Sequence, residues 1–384
     1  MRNTTEVCPV FRKCGGCQHI GEPYEKQLRR KQEYVEKLLN PFGPVRPVIG
    51  MEDPLYYRNK VHAAFGQKKD GTIVCGTYQE GTHRIIPAEN CLLEDRRCAA
   101  IIRDIRDLAQ SFRLPVYNED TGRGVLRHVL VRVGHDSGQI LVVLVVGTSQ
   151  FPSRRNFVNA LRRMHPEITS VVQNINDRKT SMILGTKESV LYGKGYIEDR
   201  LCGKIFRISP ASFYQVNSVQ TEILYRKAIE LADLNGKETV IDAYCGIGTI
   251  GIICAGKTAH VTGIENNKDA VRDARKNAQR NQTANIHFFE ADAGEYLTAM
   301  ADRGEQADVL MMDPPRSGSS REFLRSAVRM QPDRIVYISC EPKTLARDLV
   351  YLTGSGYRMK EAWPVDQFVF TDHIETVVLL SHDK

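Results

Sequence analysis

The chain predicts an α/β protein: a doubly wound, mostly parallel sheet over its second half, preceded by an α+β region with strands of its own. Two observations carry this. From about Ile205, apolar strand-like runs alternate with helical segments such as Lys268 to Asn281 and Arg321 to Met330, the pattern of a sheet covered by helices. Within that stretch, Thr239 to Gly251 (TVIDAYCGIGTIG) runs from an apolar strand through a glycine turn into a helix, with Gly246, Gly248 and Gly251 spaced as G-x-G-x-x-G.

The other elements follow in chain order. Tyr24 to Leu39 reads as a polar helix, Leu126 to Gly147 as a hairpin turning at His135 to Gln139, and Phe157 to His165 as a helix. Val365 to Leu380 (VDQFVFTDHIETVVLL) reads as two antiparallel strands joined by a polar turn, with Glu375 opening the second. A length of 384 residues suits two or three domains, divided here at 1–95, 96–204 and 205–384.

Chemistry concentrates in the last division. Glycines at the first strand–helix turn let a backbone pass close beneath a nucleotide. Glu265, following the apolar strand His260 to Ile264, offers a carboxylate to both ribose hydroxyls. NAD and S-adenosylmethionine both satisfy these features. The run Asp308 to Gly318 (DVLMMDPPRSG) bears on the choice, because Pro314 and Pro315 stiffen a loop carrying Asp313 and Arg316. A methyl donor needs polar groups beside it to orient a substrate, although a proline turn after a core strand reads equally well. Cys340, in Ile335 to Pro342 (IVYISCEP), ends an apolar run just before Lys343, Thr344 and Arg347. At a strand's carboxyl end it would face the ligand crevice, and a following helix with nearby cations is expected to lower its pKa toward the thiolate of a nucleophile. The other reading is a buried cysteine that only packs.

Cysteine usage and charge point to partners. With ten cysteines in 384 residues, no signal peptide and no apolar span of about eighteen residues, a cytoplasmic monomer with no membrane contact is expected. Cys8, Cys14 and Cys17 are spaced C-x5-C-x2-C around Gly15-Gly16, a turn that can aim sulfurs at one centre. An iron-sulfur cluster, a four-cysteine zinc site and a redox pair at Cys14 and Cys17 remain open. Residues 1–200 carry 31 Lys and Arg against 22 Asp and Glu, whereas residues 201–384 carry 22 against 24. A basic first half suggests phosphate neutralisation there.

These motifs, in this order, carry a resemblance over nearly the whole chain. They are CPVFRKCGGC (Cys8 to Cys17), YRNK (Tyr57 to Lys60), LRHVLVR (Leu126 to Arg132), SFYQVN (Ser212 to Asn217), DAYCGIGT, DPPRSG, SCEPKTLARDL and DHIETV. The chain resembles the bacterial RNA uracil-C5 methyltransferases, and within them the iron-sulfur-containing branch acting on 23S ribosomal RNA. The resemblance implies a C-terminal Rossmann-like S-adenosylmethionine-dependent methyltransferase domain at 205–384, an iron-sulfur segment at 1–95 and an RNA-binding region at 96–204. It implies that Cys340 adds to uracil C6, that Glu375 removes the C5 proton, and that Asp313 holds the uracil edge between base and cofactor. Gln215, Tyr244, Gly246, Gly248, Thr249, Glu265, Asp292 and Asp313 would hold the cofactor; many relatives have Phe at Tyr244 and Asn at Thr249. Cys91 matches the distant fourth ligand of a [4Fe-4S] cluster on Cys8, Cys14 and Cys17, with Cys75 and Cys98 as rivals and Cys202, Cys245 and Cys254 as packing residues. Arg58, Asn59, Lys60, Arg127 and His128 are the implied RNA contacts, near Tyr56, Tyr57 and Phe65. Many relatives begin with a small RNA-binding β-barrel, whereas this chain begins almost directly with its cysteines, so RNA affinity is expected to rest on the central region. Transfer RNA is the rival substrate, and an inactive iron-sulfur RNA sensor the rival function.

Overall fold

Strands covered on both faces read as unbroken apolar runs, and the chain has two sets of them. The computed structural model describes residues 7–382, and the described residues form two seven-stranded sheets and a two-stranded one. After α1 (Phe11–Cys14) and α2 (Tyr24–Leu39), the first sheet collects β1 (Lys60–Gln67), β2 (Ile73–Tyr78), β3 (Ile85–Ile86), β4 (Leu126–Val133), β5 (Ile140–Val146), β6 (Ile168–Ile175) and β7 (Lys187–Tyr192). Their order is β3-β2-β1-β4-β5-β6-β7, so strands from both sides of residue 95 share one sheet. Helices α3 (Arg96–Ser111) and α4 (Arg154–Met164) cover one face, burying Ile101, Ile105, Phe157 and Leu161 against Val129, Val131 and Val142. On the other face, Leu130, Leu141, Val143 and Val145 share a core with Val240, Val309 and Val336 of the second sheet. Covered twice, β5 is wholly apolar (ILVVLVV).

A hairpin of β8 (Ile197–Leu201) and β9 (Lys204–Ile208) leads to α5 (Ser218–Ala232), whose first turn is capped by Asn217 accepting from the Gln220 amide. The second sheet then alternates with helices as far as β15: β10 (Thr239–Ala243), α6 (Thr249–Cys254), β11 (His260–Glu265), α7 (Lys268–Arg280), β12 (Ile286–Glu290), α8 (Ala293–Asp302), β13 (Val309–Met312), α9 (Arg321–Met330), β14 (Arg334–Ser339), α10 (Pro342–Gly354) and β15 (Tyr357–Val365), with β16 (Glu375–His382) following directly. Its order is β12-β11-β10-β13-β14-β16-β15, with the first five strands parallel and β16 antiparallel to both neighbours. This is the expected Rossmann-like sheet. Its strand order reverses between β10 and β13, which places the ligand crevice outside their carboxyl ends.

The C-terminal pair differs in one respect from the sequence expectation. Glu375 does open the last strand, but its partner ends at Val365, and residues 366–374 form a loop. Asp366 and Gln367 are fully buried and must find partners off the ladder. Asp366 accepts from Tyr24 Oη at 2.8 Å and from Lys31 Nζ at 2.6 Å, while Gln367 Nε2 donates to Thr221 Oγ1 at 2.7 Å. Helix α2 is thereby fastened to the loop that precedes Glu375.

Candidate active site

Five parallel strands end at one edge, and a sequence-predicted residue stands at each end: Tyr244 after β10, Glu265 closing β11, Asp292 after β12, Asp313 after β13 and Cys340 after β14. Strand β16 runs the other way and pairs Thr376 with Ser339, which brings Glu375 to the same edge. Helix α10 secures the proline loop there. Thr344 Oγ1 donates to the Arg316 carbonyl at 3.1 Å, and Arg347 Nη2 donates to the carbonyls of Ser317 and Ser319 at 3.0 and 3.2 Å.

Cys340, Asp313, Glu375 and Arg316 lie within electrostatic reach of one another. Burial pushes the Asp313 carboxyl up to about 7. Glu375 is 2 % exposed, its Oε2 has no hydrogen-bond partner, and burial together with Asp313 holds its carboxyl well above the usual range against the opposing charge of Arg316. The thiol departs from expectation. Burial, then Glu375 and Asp313, push Cys340 up to about 11, while Arg316 opposes them by charge and hydrogen bond. Burial, reinforced by two carboxyl groups, outweighs the single cation that opposes it, Arg316. The site therefore offers a cysteine held as the thiol, beside a carboxyl pair able to exchange protons with it or with a bound substrate.

The glycines divide their work. Gly246 (φ +54°) has open space where a Cβ would project, the cradle that a cofactor's close approach requires, whereas a Cβ at Gly248 would stand 2.6 Å from Phe288. Gly246 thus fits a ligand, and Gly248 packing. Glu265 Oε2 accepts from the Gly246 amide at 3.1 Å and Oε1 from the Asn267 amide at 2.8 Å. Asp292 Oδ1 caps α8, accepting from Gly294 and Glu295 at 2.8 and 3.1 Å. Tyr244 donates to Ser319 Oγ at 3.3 Å and lies against Phe323. Thr249 lies beside Tyr225, a buried α5 phenol within reach of Asp313 and Glu375 that nothing in the sequence singled out. Gln215 is buried just before α5, and its carbonyl accepts from Asn59 Nδ2 at 3.0 Å. These residues fit a nucleoside cofactor laid across the strand ends.

Beside Cys340 opens a cavity of about 350 Å³ lined by Arg30, Lys31 and Tyr34 of α2 and by Lys343 and His373. Arg30 and Tyr34 are four residues apart and share a helix face. That spacing was visible in the sequence; their partner surface was not.

A family model described as tRNA (Uracil-5-)-methyltransferase matches residues 23–383. The chain belongs to this family. An uncharacterized RNA methyltransferase of Halalkalibacterium halodurans is 43% identical over 378 residues, covering 97% of this chain and 82% of that protein. One from Caldanaerobacter subterraneus subsp. tengcongensis is 42% identical over 383 residues, covering 97% and 83%. Among solved structures, the Pyrococcus abyssi tRNA (uracil-54, C5)-methyltransferase in complex with S-adenosyl-L-homocysteine superposes with a TM-score of 0.78 at 27% identity, covering 95% of this chain and 85% of that one. The protein is an S-adenosylmethionine-dependent RNA uracil-5 methyltransferase.

The remaining expectations for this methyltransferase fall away from the strand ends. Cys8, Cys17 and Cys91 pack with Phe11 against a small core containing Tyr24, Tyr57 and Phe370. Burial pushes Cys17 up to about 11, with Arg58 opposing and Cys14 and Cys8 reinforcing. A Cβ at Gly16 would stand 3.3 Å from Cys14 Sγ, so the glycine lets this sulfur fold back. Cys98 is buried under β4, and Cys75 sits with Arg106 and Glu89, apart from this group. Among the described residues, no three His, Cys, Asp or Glu side chains are gathered so as to hold a metal ion. The implied RNA contacts are more buried than open phosphate contacts would be. Asn59 Nδ2 ties Gln215 to Ser218, Arg58 lies beside Cys17 and Cys91, and Lys60 is pushed down to about 8 by burial and Arg132. Arg127 and His128 are buried in β4 and line a separate cavity. No helix among the described residues is long and apolar enough to cross a membrane.

Proposed function

We propose that this methyltransferase modifies C5 of a specific uridine in 23S ribosomal RNA, with Cys340 as nucleophile and Glu375 as base. The observation that carries the chemistry is the gathering of Cys340, Asp313, Glu375 and Arg316 at one sheet edge, with Glu375 buried and Arg316 exposed. Uracil C5 is too weak a nucleophile by itself. Cys340 passes its proton to water or to the Asp313 carboxylate as its sulfur bonds to C6, the C5=C6 electrons move onto the C4 carbonyl as an enolate, and C5 takes a methyl group. S-adenosylmethionine supplies that methyl group when bound. Glu375, as the carboxylate, then removes the C5 proton, and the electrons of that C–H bond re-form C5=C6 as the C6–S bond breaks. Asp313 holds the uracil edge. Gln215, Tyr244, Gly246, Glu265 and Asp292 line the cofactor's place, with Thr249 acting through Tyr225. Arg30, Lys343 and His373, around the Cys340 cavity, suit the phosphates of the target nucleotide better than the buried Asn59 does.

The preference for ribosomal RNA rests on the cysteine motif. Cys8, Cys14, Cys17 and Cys91 are assigned to a [4Fe-4S] cluster, in which each thiolate binds a different iron, so the sulfurs need not crowd to the spacing of about 3.8 Å that one tetrahedral zinc demands. Transfer RNA is the second reading, favoured by the similarity to the Pyrococcus abyssi tRNA (uracil-54, C5)-methyltransferase. An RNA substrate gives the enzyme a cytoplasmic place of work. Comparing 5-methyluridine in ribosomal and transfer RNA from a deletion strain decides the substrate: loss from transfer RNA alone refutes the first reading. Cys340→Ala should neither methylate nor form an adduct while still binding S-adenosylmethionine. Glu375→Gln should accumulate a protein–RNA species that survives denaturing electrophoresis; turnover by Cys340→Ala, or absence of that species, would remove the assigned roles.

A further inference from the structure

A second cavity, about 630 Å³, lies away from Cys340 and shares no lining residue with the cavity there. Its floor is Ala64 of β1 paired with Gly76 of β2 and with His128 of β4. His62, two residues before Ala64, pairs with Leu130, so this face of the sheet is the one that packs on the methyltransferase half through Leu130. The walls are rings. Tyr78 meets His128 edge-on with centroids 6.2 Å apart, and Tyr117 carries the Arg127 guanidinium 4.3 Å above its face. Burial and the cations nearby push His62 down to about 3 and His128 down to about 4, so both imidazoles are neutral at pH 7 and can donate and accept.

Two features point to an absent ligand. Arg127 has a side chain only 3 % exposed; its Nη1 donates to the carbonyls of Asn176 and Arg178 and its Nη2 pairs with Glu119, also at the cavity, at 3.8 Å, yet its Nε has no partner. His62 Nδ1, also at the cavity, has none either. The carbonyls that Arg127 holds belong to the loop that brings Lys179 to the rim. Neutral rings, a guanidinium paired with the Glu119 carboxylate, and a lysine at the rim free to meet an anion match a planar base with its phosphate. The size suits a nucleotide.

We propose that this cavity is a second nucleotide subsite, taking one unstacked nucleotide of the substrate RNA other than the uridine at Cys340. Its base lies against Tyr78, Tyr117 and His128, and its phosphate toward Arg127 and Lys179. Sequence in folded RNA is read mainly from unstacked bases, and a second extruded base fixes which uridine reaches the thiol.

The test uses total RNA from a strain deleted for this gene, which holds the target uridine whichever RNA class carries it. With wild-type enzyme, Tyr78→Ala and Lys179→Ala, KM for RNA should rise about tenfold in each variant while kcat and S-adenosylmethionine affinity stay unchanged. A benzophenone side chain installed at position 78 should cross-link to one nucleotide distinct from the methylated one. Unchanged KM in both variants with kcat intact would overturn the subsite without touching the methyltransferase chemistry. So would a fall in kcat alone, which would make the cavity part of the catalytic scaffold. Protection of position 78 by free nucleoside monophosphates with unchanged KM for RNA would assign the cavity to a metabolite and equally sink the proposal.

Discussion

Cysteines in two regions of this molecule meet the same obstacle in different company. At the sheet edge, Cys340 is pushed up to about 11, and the groups around it are Glu375, Asp313 and Arg316. Near the N-terminus, Cys17 is pushed up to about 11 as well, and around it stand Cys14, Cys8 and Arg58. Burial dominates both. The difference lies in what would relieve it: carboxyl groups can take a proton from a thiol, so Cys340 is equipped for proton traffic, whereas further thiols can only share a positive centre. A cysteine's task is therefore written in its neighbours more than in its own acidity.

The comparison breaks most visibly if the N-terminal group does not bind iron. Anaerobically purified protein should be brown with about four irons per chain, and Cys91→Ser should be bleached. A colourless preparation containing zinc would remove the contrast between the two regions, and retained iron in Cys91→Ser would move the fourth ligand to Cys75 or Cys98.

A smaller effect sharpens the other side. Because a raised thiol pKa leaves little thiolate at neutral pH, kcat/KM should climb with pH, by about tenfold per unit between pH 7 and 9 if ionisation of Cys340 limits addition. Arg316 is the group opposing the carboxylates, so Arg316→Ala should lower kcat/KM at pH 7.5 by about tenfold and recover part of the loss at higher pH. A flat profile in both enzymes would show that the proton leaves Cys340 for a carboxylate within the site rather than for solvent. Smaller again is the effect of the helix behind the thiol. Glu341 caps α10, its side chain accepting from the Lys343 amide, so Glu341→Ala should cost about 1 kcal/mol and lower Tm by about 2 °C. An equally small change in activity would indicate that the loop contacts of Thr344 and Arg347, rather than the cap, hold Cys340 in place.

Much of the catalytic edge was legible in the sequence because local signals fix it. The glycine turn at Gly246, the alternation of strands and helices, and the acidic residue closing β11 depend on residues close together in the chain. The thiol's acidity was not legible, since Asp313 and Glu375 reach Cys340 only once β13, β14 and β16 align. Val365 to Phe370 looked like a strand because periodicity records which residues are buried, not that Asp366 and Gln367 are buried by hydrogen bonds to Tyr24, Lys31 and Thr221. Asn59 sits in a motif that suggested RNA, yet it donates to Gln215 and Ser218, contacts that a motif cannot distinguish from ligand contacts.

The Lys31–Asp366 pair joins residues 335 positions apart. During synthesis at about 5–20 residues per second, Lys31 waits about 20–70 s for its counterion. Until then α2 cannot bury its lysine, and β16, which inserts between β14 and β15 and brings Glu375 with it, has not left the ribosome. Helix α2 and the loop before β16 thus lock together late in synthesis, and a ribosome that stalls between Cys340 and Glu375 releases a protein that carries the thiol but lacks the carboxyl beside it.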